Sequence, residues 1–274
     1  MLSVKDKTIS QYSSPEFRSA KKSSVRTRWF GGLFLMASLT MIISIVYIHP
    51  SLPTRASTTN TAEDNFQRTN TTAGWRTTTN TDGLTNYAWQ RMLSNTSYAY
   101  IHSNTGTIVY TGVNGHKVAG YMKVPAQQGG DALAQVTFTA VGHGVAGLCL
   151  QVTGGTSWYQ GDMNTSTGTL ELRKRLNGIM TTEAYVPIAY VANTAYWLRL
   201  DVQAGVGSEQ ISERMWAAGT TEPANWQVTW TDTSPLPAGN AGAMGDWFKS
   251  PLPGEQVQFQ SWSYAASGLA VPAQ

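Results

Sequence analysis

The segment from Gly129 to Gly144, GGDALAQVTFTAVGHG, decides the fold because it has the pattern of one β-strand between two turns. Apolar and polar side chains alternate from Ala132 to Val141, and a period of two residues is typical of a strand. Glycines cluster at both ends of this stretch, where they favour turns. We therefore predict a strand over residues 132–141.

The same alternation of short extended segments with turn clusters continues to the C-terminus, and none of the segments sustains a helical period. Asn177-Gly178 is typical of a type I′ turn and predicts a hairpin. Threonine and aromatic residues favour strands, while glycine and asparagine favour turns. We predict an all-β, two-sheet antiparallel jelly-roll sandwich over residues 63–274. The other predicted strands are 98–102, 107–111, 116–124, 147–153, 169–175, 183–191, 195–203, 208–217, 226–231, 241–248 and 256–265.

An uncharged apolar segment near the N-terminus predicts export of this domain. The segment Trp29–Ile48, WFGGLFLMASLTMIISIVYI, would rise about 30 Å as a helix, which matches the core of a bilayer. Residues 1–28 hold seven basic and two acidic side chains, so we predict a disordered, cytoplasmic region. Residues 29–48 are then a transmembrane or signal helix, residues 49–62 a flexible linker, and the domain is extracellular.

Cleavage and retention of the apolar helix both remain open. Thr54 and Ala56 are small residues placed as in a signal-peptidase site after Ala56, which favours secretion. The long basic region and the long apolar segment favour a helix that stays in the membrane as an anchor.

Charge and cysteine content exclude some classes of protein. The chain has a net charge of +3, but the positive excess lies before the apolar segment, so we predict no nucleic-acid binding. Cys149 is the single cysteine, so the chain can form no internal disulfide and must be held together by its core. We predict that Cys149 is a buried apolar residue. A bacterial surface or medium fits an exported domain of this kind.

Three motifs carry a resemblance to a known family. Asp64-Asn65-Phe66-Gln67-Arg68 opens the domain, Trp216, Gly219, Glu222-Pro223 and Trp226 form a W-x-x-G-x-x-E-P-x-x-W pattern, and Val257–Trp262 forms the final strand. This order resembles the bacterial extracellular laminin-G-like, concanavalin A-like jelly-roll domains over about residues 63–266. The final strand lacks the acidic residue that such domains often carry after the apolar-Phe pair. Domains of this kind include lectins, adhesion modules and glycosidases, so the resemblance implies the fold and leaves these functions as alternatives.

The W-x-x-G-x-x-E-P-x-x-W pattern is interpreted as structural. Trp216 and Trp226 each bury a large area. Glu222 is predicted to accept backbone N–H groups or to pair with Arg199 or Arg214, because buried polar groups usually have partners. A direct role of this motif in ligand binding is the alternative.

The resemblance also implies one structural calcium ion, the only cofactor we consider. Asp64, Asp131, Asp162 and Asp232 are candidate ligands, but they form no clustered calcium motif. The alternative is that these aspartates form turns.

Catalytic motifs are missing from the sequence. Jelly-roll glycosidases of the laminarinase type carry an E-x-D-x-x-E pattern on one strand, and this chain has none. His102, His116 and His143 are isolated, without a partner at metal spacing. We therefore predict that the protein is not an enzyme. Two carboxylates facing each other within about 10 Å in a cleft would instead indicate a glycoside hydrolase or lyase.

Sugar binding needs exposed aromatic faces and nearby groups that read hydroxyls. Trp262 and Tyr264 are predicted to share a polar strand face with Gln258 and Gln260, although core packing is the alternative. We predict an exported, non-catalytic module of lectin type that binds a polysaccharide or cell-surface glycan. The alternatives are a structural or adhesion surface protein without a small-ligand site, and a glycoside hydrolase or lyase. Membrane contact would come through residues 29–48 if they are not cleaved. The candidate ligand-binding residues are Trp158, Tyr159, Trp247, Gln260, Trp262 and Tyr264.

Overall fold

The computed structural model describes part of the chain. The described residues are 62–71, 74–77, 87–93, 99–110, 116–247 and 252–272, without the side chains of residues 91, 93, 116–119 and 247. The predicted N-terminal region, the apolar helix and nearly all of the linker therefore lie outside the described residues. Within the described ranges, no helix is long and apolar enough to cross a membrane.

The described residues form fifteen strands. Their bounds are β1 Ala62–Asp64, β2 Trp89–Leu93, β3 Ala99–His102, β4 Thr105–Val109, β5 His116–Gln127, β6 Gly130–Phe138, β7 Gly144–Thr153, β8 Ser157–Asn164, β9 Thr169–Leu176, β10 Ile179–Pro187, β11 Ala195–Ala204, β12 Glu209–Ala217, β13 Val228–Asp232, β14 Gly239–Trp247 and β15 Gln256–Ala266.

The strands form two antiparallel sheets. Sheet A has the order β13-β12-β11-β6-β15-β4-β3, with β1 paired to β15, and sheet B has the order β10-β9-β8-β7-β14-β5-β2. Strands that are far apart in the sequence lie side by side in each sheet, as β15 next to β6 and β14 next to β7 show. The domain is therefore an all-β, two-sheet jelly-roll sandwich, and the predicted fold class is confirmed.

The hairpin predicted at Asn177-Gly178 is also present. These two residues connect β9 to β10 and have φ angles of +51° and +89°. A type I′ turn requires positive φ at both central residues, and asparagine and glycine tolerate it best.

The strand predicted over residues 132–141 is β6, at the centre of sheet A between β11 and β15. Ala134, Val136 and Phe138 face sheet B and belong to the main core. Leu133 faces the opposite way and belongs to a smaller cluster with Trp216 and other residues. The strand is therefore buried on most of both faces, because sheet A carries apolar packing on its outer face as well.

Both outer faces of the sandwich carry such a smaller apolar cluster. On sheet A it contains Leu133, Trp216, Ala265 and Val271. On sheet B it contains Met92, Val145, Cys149, Val152, Trp158 and Met244. Cys149 is buried and free, as predicted, and burial raises the pKa of its thiol well above the usual range.

The opening motif Asp64–Arg68 closes one edge of the main core. Asp64 accepts hydrogen bonds from the backbone N–H of Phe66 (2.8 Å), from Arg68 Nη2 (2.9 Å) and from Trp89 Nε1 (2.7 Å). The Phe66 ring packs over Gly106, where an added Cβ would lie 2.5 Å from the ring. The aspartate and the arginine of this motif are therefore structural residues.

Candidate functional site

A buried ion-pair network lies on the outer face of sheet A. Arg199 on β11 donates from Nη2 to Asp131 Oδ2 (2.6 Å) and from Nη1 to Glu222 Oε1 (2.7 Å), and it also bonds the carbonyl of Val271. Arg214 Nη2 lies 2.5 Å from the same Glu222 oxygen. Although burial opposes it, the contacts with Asp131 and Glu222 raise the pKa of Arg199. Two cations and two carboxylates thus balance one another, and Glu222 pairs with both arginines that the sequence indicated.

This network fixes the loop that connects β12 to β13. Arg214 donates to the carbonyl of Pro223 (2.6 Å), and its guanidinium lies 4.2 Å from the ring centroid of Trp226. At the start of the loop, the Thr220 hydroxyl donates to the carbonyl of Ala217 (2.7 Å). The W-x-x-G-x-x-E-P-x-x-W motif therefore holds a rigid loop beside the outer face of sheet A.

An open groove of about 500 Å³ lies between this loop and the sheet, in the size range of small-ligand sites. The sheet contributes Gln135 from β6 and Trp197 from β11, which lie directly opposite each other in register. The half-buried Trp197 stacks against the buried ring of Trp216, with ring centroids 6.3 Å apart and planes at 22°. The groove is lined by Gln135, Trp197, Gly219, Thr220 and Thr221.

Polar groups continue from the groove across the neighbouring strand. Ser261 on β15 lies opposite Gln135, and the Gln260 amide lies 3.0 Å from the Thr137 hydroxyl. Gln260, one of the predicted ligand-binding residues, is half-buried and lies next to Ser261 on this strand. An indole beside amides and hydroxyls can stack on the C–H face of a sugar and exchange hydrogen bonds with its hydroxyls.

Trp197 and Gln135 were missed as candidate ligand-binding residues. Strand β11 alternates between inner residues such as Leu198 and outer residues such as Arg199. Trp197 is therefore an aromatic residue on the polar side of its strand. This position in the alternation could have indicated from the sequence that Trp197 was a candidate ligand-binding residue.

The prediction that Trp262 and Tyr264 lie on a polar face is wrong. A β-bulge between Phe259 and Ser261 places one extra residue, Gln260, in β15. The bulge reverses the alternation, so Trp262 and Tyr264 point into the main core with Phe259. Their exposed fractions are 0% and 1%, which excludes a surface role in this structure.

Tyr159 and Trp158 are also not exposed aromatic platforms. Tyr159 points inward, donates to Asp232 Oδ2 (2.6 Å) and accepts from the N–H of Leu236 (3.0 Å), so the prediction of a surface role is wrong. Trp158 is buried on the outer face of sheet B beneath the Arg175 guanidinium, 4.8 Å from its ring centroid. Trp247 ends β14, and its side chain lies outside the described residues.

The calcium candidates each contact a cationic side chain. Asp64 pairs with Arg68, Asp131 with Arg199, and Asp232 with Lys174 at 2.6 Å. A calcium ion at any of these carboxylates would compete with an existing ion pair. In the described part of the chain, no three or more His, Cys, Asp or Glu residues are grouped so that they could hold a metal.

A second polar cluster lies on the outer face of sheet B. Asp162 on β8 lies opposite Glu171 on β9, and Arg173 Nε is 3.5 Å from Asp162 Oδ2 and 2.8 Å from Glu171 Oε2. Gln160 donates to Asp162, and Asn164 donates to Glu171 Oε1 (2.8 Å). All of these residues except the half-buried Arg173 are buried. The cluster therefore contains the facing carboxylate pair that the sequence did not reveal.

The two facing carboxyl groups differ in acidity. Burial raises the pKa of Asp162 to about 7, and the Arg173 charge offsets only part of this rise. The pKa of Glu171 is lowered, because hydrogen bonds from Thr169 and Arg173 outweigh the effect of burial. One carboxyl group thus stays protonated up to neutral pH while its neighbour is ionised.

A third carboxyl group lies on the other side of β8. Glu213 on β12 points into the sandwich against Gly161, where an added Cβ would lie 2.7 Å from Glu213 Cδ. Burial, and then the charge of Asp162, raise the pKa of Glu213 well above its usual range. Glu213 is therefore a carboxyl group packed in the core, where burial favours its protonated form.

Comparisons with known proteins found similar solved structures only. No family model and no curated protein matches the chain. The carbohydrate-binding module CBM66 from Bacillus subtilis is 13% identical, over 65% of this chain and 95% of that one, with a TM-score of 0.46. A Bacillus licheniformis β-glucanase is 15% identical, over 76% and 99%, with a TM-score of 0.47. The Lotus tetragonolobus seed lectin is 11% identical, over 72% and 96%, with a TM-score of 0.45.

The prediction that the protein is not an enzyme is contradicted by these similar structures. They include glycoside hydrolases such as the β-glucanase, a lichenase and a GH43 protein of which this chain spans 39%. The similar structures thus include enzymes and binding proteins alike. At these identities and TM-scores the likenesses carry no argument about which activity this chain has.

Proposed function

We propose that the domain binds carbohydrate in the groove beside Trp197. The observation that carries this proposal is a half-buried tryptophan, Trp197, that lines one open groove together with Gln135, Thr220 and Thr221. An aromatic ring packs on the apolar face of a pyranose, and the amide and hydroxyls exchange hydrogen bonds with its hydroxyl groups.

The rigidity of the groove supports the proposal. Because Glu222 is held by Arg199 and Arg214, the loop that carries Thr220 and Thr221 is positioned before a ligand arrives. Preorganisation of this kind reduces the conformational entropy that is lost when a ligand binds.

The proposed partner is a polysaccharide or a cell-surface glycan outside the cell. Its support is the apolar segment 29–48, preceded by the basic residues 1–28, which together predict that the domain is exported. The resemblance to laminin-G-like domains belongs to this proposal too, and its motif residues Asp64 and Glu222 form structural contacts with Arg68 and Arg199.

A binding assay with matched variants tests the proposal. The full chain, purified in detergent, is titrated against a panel of soluble and insoluble polysaccharides, together with Trp197→Ala and Tyr185→Ala. Tyr185 is the matched control, since it is an aromatic residue of sheet B that is 68% exposed. We expect saturable binding that Trp197→Ala abolishes and Tyr185→Ala leaves unchanged.

Two results would contradict the proposal. Binding lost in Tyr185→Ala but kept in Trp197→Ala would move the site to sheet B. A folded chain that binds no glycan would favour a structural or adhesion surface protein instead.

A second candidate function is glycoside hydrolysis at Asp162 and Glu171. The specific observation in its favour is that these carboxyl groups face each other across β8 and β9 with pKa values shifted in opposite directions. Paired carboxyl groups with separated pKa values are the arrangement in which one acts as acid and the other as base or nucleophile. Both groups are buried and bound to Arg173, so the open groove is the stronger candidate site.

Release of reducing ends from the same polysaccharides tests this second candidate. Activity that disappears in Asp162→Asn and in Glu171→Gln, but persists in Trp197→Ala, would support it. Glycan binding without any release of reducing ends would contradict it.

A further inference from the structure

We infer that the groove beside Trp197 selects neutral carbohydrate and rejects anionic carbohydrate such as uronate polymers. This inference rests on the proposed function, because it names the class of glycan that the same groove would take. Its basis is the distribution of charge around the groove.

The groove presents no charge of its own. Its five lining residues are two threonines, a glycine, a glutamine and a tryptophan. Amide and hydroxyl groups both donate and accept hydrogen bonds, and sugar hydroxyls have the same two capacities. A neutral sugar can therefore satisfy its polar groups here.

The charges next to the groove are already paired. Arg199 lies two residues from Trp197 on the same strand, and its guanidinium contacts Asp131 and Glu222. The side chains of Arg199 and Glu222 are only 6% and 8% exposed. Arg214 is held by Glu222 and by the carbonyl of Pro223.

An anionic sugar would find no available counter-charge among these residues. To bind a uronate, Arg199 or Arg214 would have to leave a buried carboxylate, and a buried carboxylate without its partner is strongly destabilising. Without such a move, the uronate itself would lose water and gain no compensating charge. Both routes disfavour anionic ligands.

The experiment compares neutral and anionic glycans of similar length. The full chain is titrated with a neutral β-glucan, a neutral xylan and polygalacturonate, each at low salt and at high salt. We expect saturable binding to at least one neutral glycan, with an affinity that changes less than about twofold with salt, because no ion pair forms. Polygalacturonate should bind at least about tenfold more weakly, a factor that corresponds to about 1.4 kcal/mol.

A charge placed in the groove sharpens the test. Thr221→Lys supplies an unpaired cation, so we expect it to gain salt-sensitive binding to polygalacturonate. Thr182→Lys is the matched control, since Thr182 is exposed on β10 of the other sheet. The control should bind polygalacturonate no better than the unmodified chain.

The outcomes separate the two proposals. Tight, salt-sensitive binding of polygalacturonate by the unmodified chain, lost in Trp197→Ala, would overturn this inference and keep the proposed function. A folded chain that binds none of the three glycans would overturn both.

Discussion

The outer faces of both sheets carry clusters of arginine and carboxylate side chains, but the two clusters differ in their balance of charge. On sheet A, Arg199 and Arg214 neutralise Asp131 and Glu222, and the groove next to this network is open and uncharged. On sheet B, Arg173 is the one cation among the described residues that pairs with both Asp162 and Glu171.

The difference lies in the ratio of cations to carboxylates. A balanced network on sheet A fixes a loop and leaves neutral groups to meet a ligand. On sheet B the two facing carboxylates share one cation, and the charge of Asp246 also raises the pKa of Asp162. An excess of buried carboxylates therefore makes that face sensitive to pH.

The largest predicted effect comes from breaking the balanced network. Arg199→Ala leaves Asp131 and Glu222 buried without their main partner, and we expect a loss of about 3–5 kcal/mol in the free energy of unfolding. Urea unfolding followed by tryptophan fluorescence measures the loss. Arg173→Ala is the comparison on sheet B, and there the cost should fall as the pH is lowered. A loss below about 1 kcal/mol for Arg199→Ala would mean that the network is not a stabilising element.

The next effect is the pH dependence of stability. The pKa of Asp162 rises from 3.8 in the unfolded chain to about 7 in the fold, so folding favours the protonated group. Its stabilising contribution is present below about pH 4 and decreases as the pH rises towards 7, by a total on the order of 2 kcal/mol or more. Glu213 adds a contribution of the same sign.

Asp162→Asn tests this directly, because the amide cannot ionise. Between pH 4 and pH 7 the variant should lose less stability than the unmodified chain, while Glu183→Gln, a control at an exposed position of β10, should follow the unmodified chain. If the unfolding free energies of Asp162→Asn and of the unmodified chain changed equally with pH, the raised pKa of Asp162 would be contradicted.

A smaller loss of stability is expected from a substitution at Gly161, the glycine of β8 that packs against Glu213. Gly161→Ala would place a Cβ 2.7 Å from Glu213 Cδ, and overpacking of this kind costs about 1–3 kcal/mol. Gly120→Ala is the control, since the nearest atom to its Cβ would be 3.4 Å away. Combining Gly161→Ala with Glu213→Ala should remove the part of the strain that Glu213 causes and leave the 2.9 Å approach to Leu200 Cδ1, so fully additive losses in the double variant would contradict the contact with Glu213.

The smallest effect concerns the groove itself. Gln135→Ala removes one amide and should weaken glycan binding by about threefold to tenfold, since a hydrogen bond contributes about 0.5–1.5 kcal/mol. The unfolding free energy should change little. Titration with the tightest-binding glycan measures the effect, and an unchanged affinity would exclude Gln135 from the site.

The sequence predicted those features that follow from local pattern. Alternation located β6, and Asn177-Gly178 located a hairpin, because both signals come from residues close together in the chain. Arg199 and Arg214 were among the expected partners of Glu222 because a buried carboxylate usually has a partner.

The features that escaped prediction depend on how the strands pair and where the loops are held. One extra residue at Gln260 reversed the faces of Trp262 and Tyr264, and no local signal marks that bulge. The facing pair Asp162 and Glu171 forms only when β8 and β9 align. Trp197 becomes a groove residue only because the loop after β12 is held beside it.

The most direct test of the account is a crystal structure of the chain with a neutral oligosaccharide that binds in solution. The account predicts a sugar ring packed on Trp197, with hydroxyls within hydrogen-bond distance of Gln135 and Thr220 or Thr221. A sugar bound at the face of Asp162 and Glu171, with the groove beside Trp197 empty, would contradict it.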